Sequence, residues 1–183
     1  FRRVLFRSRV STQTASSQLY TSVAGLSDGG WVAVWASNVQ DGSSWGIYGQ
    51  RYSATGVAQG GEFRVNTYTS GEQNYPAVSA LPDGGWVVVW HSNAQDGSGF
   101  GVYGQRYDGT GLAAGSEFQV NSHAALGQMQ ASVATLSDGG WVVVWMSDAQ
   151  DGDRYGIYGQ RYNAQGVALG VEDRKSTRLN SSH

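Results

Sequence analysis

Apolar and polar residues alternate in short runs along the chain, and no window shows the 3.6-residue spacing of an amphipathic helix. In the middle stretch, Phe63 and Val65 alternate with polar neighbours across 62–67, which predicts a half-buried strand. Residues 69–74 are polar and predict a loop. A second short strand is expected over 76–81, with Pro76 at its start, where a missing N–H is tolerated. Pro82-Asp83-Gly84-Gly85 predicts a tight hairpin turn. Trp86 to Trp90 is the most apolar run: Trp86, Val88 and Trp90 share one face, Val87 and Val89 the other. Apolar residues on both faces predict an inner strand covered on both sides. A Gly- and Asp-rich loop follows over 92–100. A fourth strand is expected over 101–107, ending at the turn Asp108-Gly109-Thr110-Gly111.

The pattern occurs three times in strict register. The phrase D-G-G-W begins at Asp28, Asp83 and Asp138, Q-D-G at Gln40, Gln95 and Gln150, and Y-G-Q-R-Y at Tyr48, Tyr103 and Tyr158. Every offset is 55 residues. Counting from the first aligned residue gives repeats over 9–63, 64–118 and 119–172. Four-stranded units of roughly this length that stack face to face are the mark of a β-propeller, typically with 4–8 blades. The expected fold is therefore all-β: a propeller-like array of four-stranded antiparallel blades, three blades of a larger ring. A β-prism or other lectin-like arrangement is the alternative. Two tryptophans per copy cannot offset the entropy of ordering 55 residues alone, so neighbouring repeats are the expected partners of each unit. Expressed without further blades, residues 9–172 are expected to leave sheet faces open and to associate.

The register breaks at both ends. The position of Phe63 and Phe118 falls on Ser8 in the first copy, and on Asp173 after the third. Residues 173–183, DRKSTRLNSSH, resemble a codon-by-codon translation of a common short-read sequencing adapter. Residues 1–8, FRRVLFRS, match the reverse complement of the same oligonucleotide. The rival readings are a signal peptide, which lacks its apolar run here, and a basic nucleic-acid-binding tail. Both tails are set aside from the fold, and 9–172 is expected to be a fragment of a longer array.

Setting the tails aside changes the charge. The whole chain carries −2, but residues 9–172 hold six arginines, no lysine and 13 acids, a net −7. That balance argues against nucleic acid and anionic membranes as partners. No stretch approaches the roughly 18 apolar residues a membrane helix needs, so no membrane insertion is expected. The chain has no cysteine, which removes disulfides and thiolate chemistry.

The run L-x-D-G-G-W-V-V-V-W-x-S-x-x-Q-D-G-x-x-x-G-x-Y-G-Q-R-Y, followed by G-x-E-F-x-V-N, resembles a repeat of very large exported bacterial proteins. Those proteins often also carry RTX-type calcium-binding or cadherin-like modules. The resemblance covers residues 9–172 and implies a secreted or cell-surface location. The RTX nonapeptide itself is absent, so calcium binding does not transfer with it.

The candidate chemistry lies in the loops. Asn38 and Asp41, Asn93 and Asp96, and Asp148, Asp151 and Asp153 form a S-[ND]-x-Q-D-G loop in each copy. Calcium takes 6–8 oxygens of these kinds, so Ca²⁺ is the one cofactor to consider. Asp-Gly loops are also ordinary turn formers. Arg51, Arg106 and Arg161 are expected to pair with these loop aspartates about ten residues earlier. Trp45, Phe100 and Tyr155 occupy one varying position and offer flat surfaces for glycans, or simple packing over a blade edge. His91 and His123 are not equivalent, and no nucleophile-elbow, zincin or phosphate-loop pattern is present. The reading is a non-catalytic structural or adhesion module. A carbohydrate-binding module, a calcium-binding repeat and a fragment of a propeller enzyme are the alternatives.

Overall fold

The computed structural model describes residues 9–173. The tail assignments for 1–8 and 174–183 lie outside the described residues. Twelve strands form three four-stranded antiparallel sheets, and in each the strands lie side by side in chain order. The first sheet holds β1 (Gln18–Gly25), β2 (Trp31–Asn38), β3 (Trp45–Tyr52) and β4 (Ala58–Arg64). The second holds β5 (Gln73–Ala80), β6 (Trp86–Asn93), β7 (Phe100–Tyr107) and β8 (Phe118–Gln119). The third holds β9 (Gln128–Thr135), β10 (Trp141–Asp148), β11 (Tyr155–Tyr162) and β12 (Ala168–Asp173). The protein is thus an all-β, propeller-like array of four-stranded antiparallel blades. The first strands, β1, β5 and β9, contact one another in series.

The sheets keep the expected 55-residue period with a different phase. The strand expected over 62–67 closes the first sheet instead of opening the second: Phe63 pairs opposite Gly49 on β3. The reason is local. A Cβ on Gly49 would lie 2.8 Å from Phe63 Cζ, so only glycine lets that ring cross the sheet. Phe118 lies over Gly104 in the same way.

Each D-G-G-W segment forms its predicted hairpin. In the first, the Leu26 amide donates to the Gly30 carbonyl at 2.8 Å, and Asp28 Oδ1 accepts from the Gly30 amide at 2.8 Å. A Cβ on Gly85 in the second hairpin would sit 2.2 Å from the Tyr107 carbonyl oxygen, which fixes that residue as glycine.

The two faces of each sheet are different, and the core lies between sheets. Val32, Val34, Ala36 and Ile47 on the aliphatic face of sheet one pack against Trp86, Val88 and Trp90 of sheet two. Val87, Val89 and Val102 of sheet two pack in turn against Trp141, Val143 and Trp145 of sheet three. The indoles are therefore buried between blades, as their placement on one strand face predicts. Trp31 and Tyr52 stack across strands at 4.0 Å, and Trp141 and Tyr162 at 5.2 Å.

The connecting segments stitch blades together with buried polar groups. Asn66 Oδ1 accepts the Ile47 amide of sheet one at 2.6 Å, while its Nδ2 donates to Gln73 Oε1 of sheet two at 3.3 Å. Asn121 repeats both contacts with Val102 and Gln128. The next residue, Thr67, donates its amide and hydroxyl to Glu117 Oε2, and Gln95 Nε2 donates to the other oxygen at 2.6 Å. Each such bond leaves a buried group satisfied that would otherwise cost about 1–3 kcal/mol.

The outer strands carry a bulge. Pairing between β3 and β4 shifts between Gly49 and Arg51, at Gly60, whose φ is +72°. The buried Gln50 side chain donates to the Gly60 carbonyl at 3.3 Å, and Gln105 does the same to Gly115 at 3.1 Å.

Candidate functional site

The two ends of the blades carry different chemistry. At the D-G-G-W end, Arg51 pairs with Asp28 at 2.7 Å, Arg106 with Asp83 at 3.2 Å, and Arg161 with Asp138. This corrects the expected pairing with the Q-D-G aspartates. Those loops join β2 to β3 at the opposite end, and six residues of strand separate them from the arginine, roughly 20 Å. Arg106 also reaches the next blade: its guanidinium lies 5.0 Å from the Trp141 ring and donates to the carbonyls of Ala164 and Gln165 at 3.2 and 2.9 Å. Asp138 is held below the usual carboxylate range by the Gly140 amide first and by Arg161 second.

In the Q-D-G loops the polar side chains serve the turn. Asp41 Oδ1 accepts the Ser43 amide at 3.1 Å, Asp96 the Ser98 amide at 3.1 Å, and Asp151 the Asp153 amide at 3.3 Å. Asn38 Nδ2 donates to the Ser44 carbonyl at 3.2 Å. Gln40 ties its loop to Glu62 at 2.5 Å. Asn93 and Asp148 occupy the Asn38 position in the other copies and are half-buried, whereas Asp151 and Asp153 are exposed. Among the described residues, no group of three or more His, Asp or Glu side chains has the arrangement to hold a metal ion.

Beside these loops lies a cleft of about 380 Å³ at the ends of the inner strands. It is built on a repeated irregularity. β1, β5 and β9 each bulge near their starts, and the residue there adopts positive φ: Tyr20 at 56°, Tyr75 at 53°, Gln130 at 54°. Bulky residues rarely take this conformation, and such strain gathers where a side chain must be aimed. Tyr20 and Tyr75 stack with ring centroids 3.9 Å apart. Trp45 lies 6.3 Å from Tyr20, and His91 lies 5.0 Å from Tyr75 and 4.8 Å from Phe100. Hydrogen bonding to Tyr75 raises the Tyr20 hydroxyl above its ordinary pKa, so both hydroxyls stay protonated near neutrality.

Polar groups complete the cleft. Asn74 is buried, and its Oδ1 has no partner among the described residues. Glu72 is the sole carboxylate in the lining. His91 Nδ1 accepts the Gln130 amide at 3.3 Å, which joins blades two and three. Burial pushes the His91 pKa down to about 4, so the ring is neutral across the physiological range. Flat apolar rings beside an unpaired amide oxygen and a neutral imidazole suit a polyhydroxylated ligand, which offers apolar C–H faces and many hydroxyl donors.

The structure brings Trp45 and Phe100 into this cleft. Tyr155, the third residue at that position, is 59% exposed on the open side of blade three. Sequence reasoning missed Tyr20, Tyr75, Gln130, Asn74 and Glu72, and gave His91 no role. Their one signal is that positions 20, 75 and 130 fall in register with large side chains.

No family model matches the chain, and no curated protein matches it. Solved structures do. An endo-1,4-β-xylanase from Bacteroides thetaiotaomicron is similar with a TM-score of 0.56 and 12% identity, over 88% of this chain and 61% of that one. A thermostable family-43 glycoside hydrolase gives 0.55 and 12%, over 90% and 59%. A Hadza microbial sialidase gives 0.60 and 15%, over 83% and 36%. The chain thus spans well under two thirds of the length of these structures. At such identities the likeness is one of fold: three blades arranged as blades are arranged in those proteins.

Proposed function

We propose that the chain is a non-catalytic propeller-repeat module of a secreted or cell-surface bacterial protein, and that it adheres to carbohydrate through the aromatic cleft. The observation that carries this reading is the pairing of the Tyr20–Tyr75 stack with the unpartnered Asn74 Oδ1 in one cleft. A sugar ring laid on the aromatic face brings C–H groups to the rings and a hydroxyl donor to Asn74. A glycosidase needs two carboxyl groups across the scissile bond. Glu72 has no second carboxylate beside it in the lining, which favours binding over hydrolysis. The glycoside hydrolases of similar fold support sugar as the ligand class. The exported-protein repeat that the sequence resembles supports the location.

Titration calorimetry with xylo- and arabino-oligosaccharides tests the reading. Binding is expected for the parent chain, with at least a tenfold loss in Tyr75→Ala and in Asn74→Ala, and no release of reducing ends. Binding unchanged in both variants removes the cleft as the site. Calcium is not favoured, because the loop oxygens already accept backbone amides. A melting temperature that rises in millimolar calcium over EDTA would restore that alternative.

A further inference from the structure

Both surfaces of the blade-to-blade joint are present on this chain without a partner. The aliphatic face is covered in blades one and two, where Val34, Ile47, Val89 and Val102 are each 0% exposed. Their equivalents in blade three are open: Val144 is 40% and Ile157 62% exposed. The Arg161 side chain is 52% exposed, against 19% and 15% for Arg51 and Arg106, whose guanidinia lie over the next blade's tryptophan. At the other end, the tryptophan face of blade one meets little but Val10. Val23 is 65% exposed there, whereas its equivalent Val78 is 8% exposed. A cavity of about 580 Å³ opens over Val23, Trp31, Ala33 and Trp35.

We propose that two copies of this chain join head to tail through these surfaces and close a six-bladed ring. The occupant of each open face is the complementary face of the second copy, because the chain already makes that joint twice. The polar groups match as well. Arg161 meets Trp31 of the second copy as Arg106 meets Trp141, with the carbonyls of Ala54 and Thr55 standing where Arg106 finds Ala164 and Gln165. The Ser132 hydroxyl meets the Val23 amide of the second copy as Ser22 meets the Val78 amide at 3.2 Å. Closed propellers typically hold 4–8 blades, and six is the only multiple of three in that range. A joint whose two surfaces differ closes a ring when its rotation allows. Two identical junctions therefore complete the assembly. Tyr155 of one copy then lies at a blade junction, as Trp45 does at its bridge to Glu72, and the ring gains further clefts.

Sedimentation equilibrium on the 183-residue chain tests the proposal, with glycan binding scored separately. The expected species has twice the 19.5 kDa chain mass. Ile157→Asp and Val23→Asp each place a carboxylate in both junctions, at residues exposed within the single chain, and each alone is expected to be monomeric with an unchanged far-UV spectrum. Mixed, they are expected to form a heterodimer, because both substitutions then fall in one junction and leave the other intact. A monomeric parent chain, including one whose own tail covers a face, would overturn the proposal. So would a mass that grows without limit, single variants that remain dimeric, or a mixture that fails to pair.

Discussion

The two ends of the blades obey one backbone plan and differ in how far the copies agree. At the hairpin end, the three copies share Asp-Gly-Gly-Trp and an arginine, and the same ion pair forms each time. At the loop end, the same bulge with positive φ presents Tyr20, Tyr75 and Gln130, and the facing position presents Ala36, His91 and Met146. Sameness marks the end that clamps blades together. Difference on an identical backbone marks the end free to recognise something. The hairpin end is thus predicted to govern stability, and the loop end binding.

The sharpest way to break that contrast is Trp86→Ala at the hairpin end. Trp86 is fully buried between blades one and two, and its truncation is expected to cost about 3–5 kcal/mol in urea denaturation. A loss under about 1 kcal/mol would mean the joint is not the core.

His91 supplies the next largest effect, and it depends on pH. Its folded pKa of about 4 lies below the ordinary 6.5 because burial disfavours the imidazolium. The unfolded chain therefore binds the extra proton first as pH falls. The His91 contribution is whole above pH 6.5 and is lost progressively towards pH 4, by about 3 kcal/mol in all. His91→Met, which installs the residue that blade three has, is expected to flatten that limb of the stability curve.

Arg106 and Arg161 sharpen the comparison along the array. Arg106→Met removes an ion pair, two carbonyl bonds and a ring contact, and is expected to cost about 1–2 kcal/mol. The same change at the half-exposed Arg161 is expected to cost under about 0.5 kcal/mol in the single chain. At the loop end, Tyr75→Asn keeps a residue tolerant of positive φ. It is expected to move stability by under about 1 kcal/mol while abolishing oligosaccharide binding.

Much of this was legible in the chain because its signals are local. Alternation marked the strands, Asp-Gly-Gly marked the hairpins, and the spacing of Trp86, Val88 and Trp90 marked the face that blades bury. Phase was not legible, because a period alone does not say where a sheet begins. That choice rests on Gly49 admitting Phe63, a contact between strands rather than a pattern along one. The arginine partner was misread for a related reason. Closeness in sequence suggested Asp41, but the length of β3 carries Arg51 away to Asp28. The cleft was least visible. It is assembled from strands of successive blades, and its key atom, Asn74 Oδ1, is distinguished only by what does not touch it.

The bulge in the outer strands has a consequence for how these proteins behave when crowded. Gly60 and Gly115 turn the outermost backbone out of register, and Gln50 and Gln105 occupy carbonyls that a foreign strand would need. A flat, regular rim invites strangers to zip on and seeds cross-β fibrils. Here the rim is blunted while the broad surfaces stay adhesive. The molecule is thereby permitted to grow only by stacking, and amyloid-type polymerisation is denied its template.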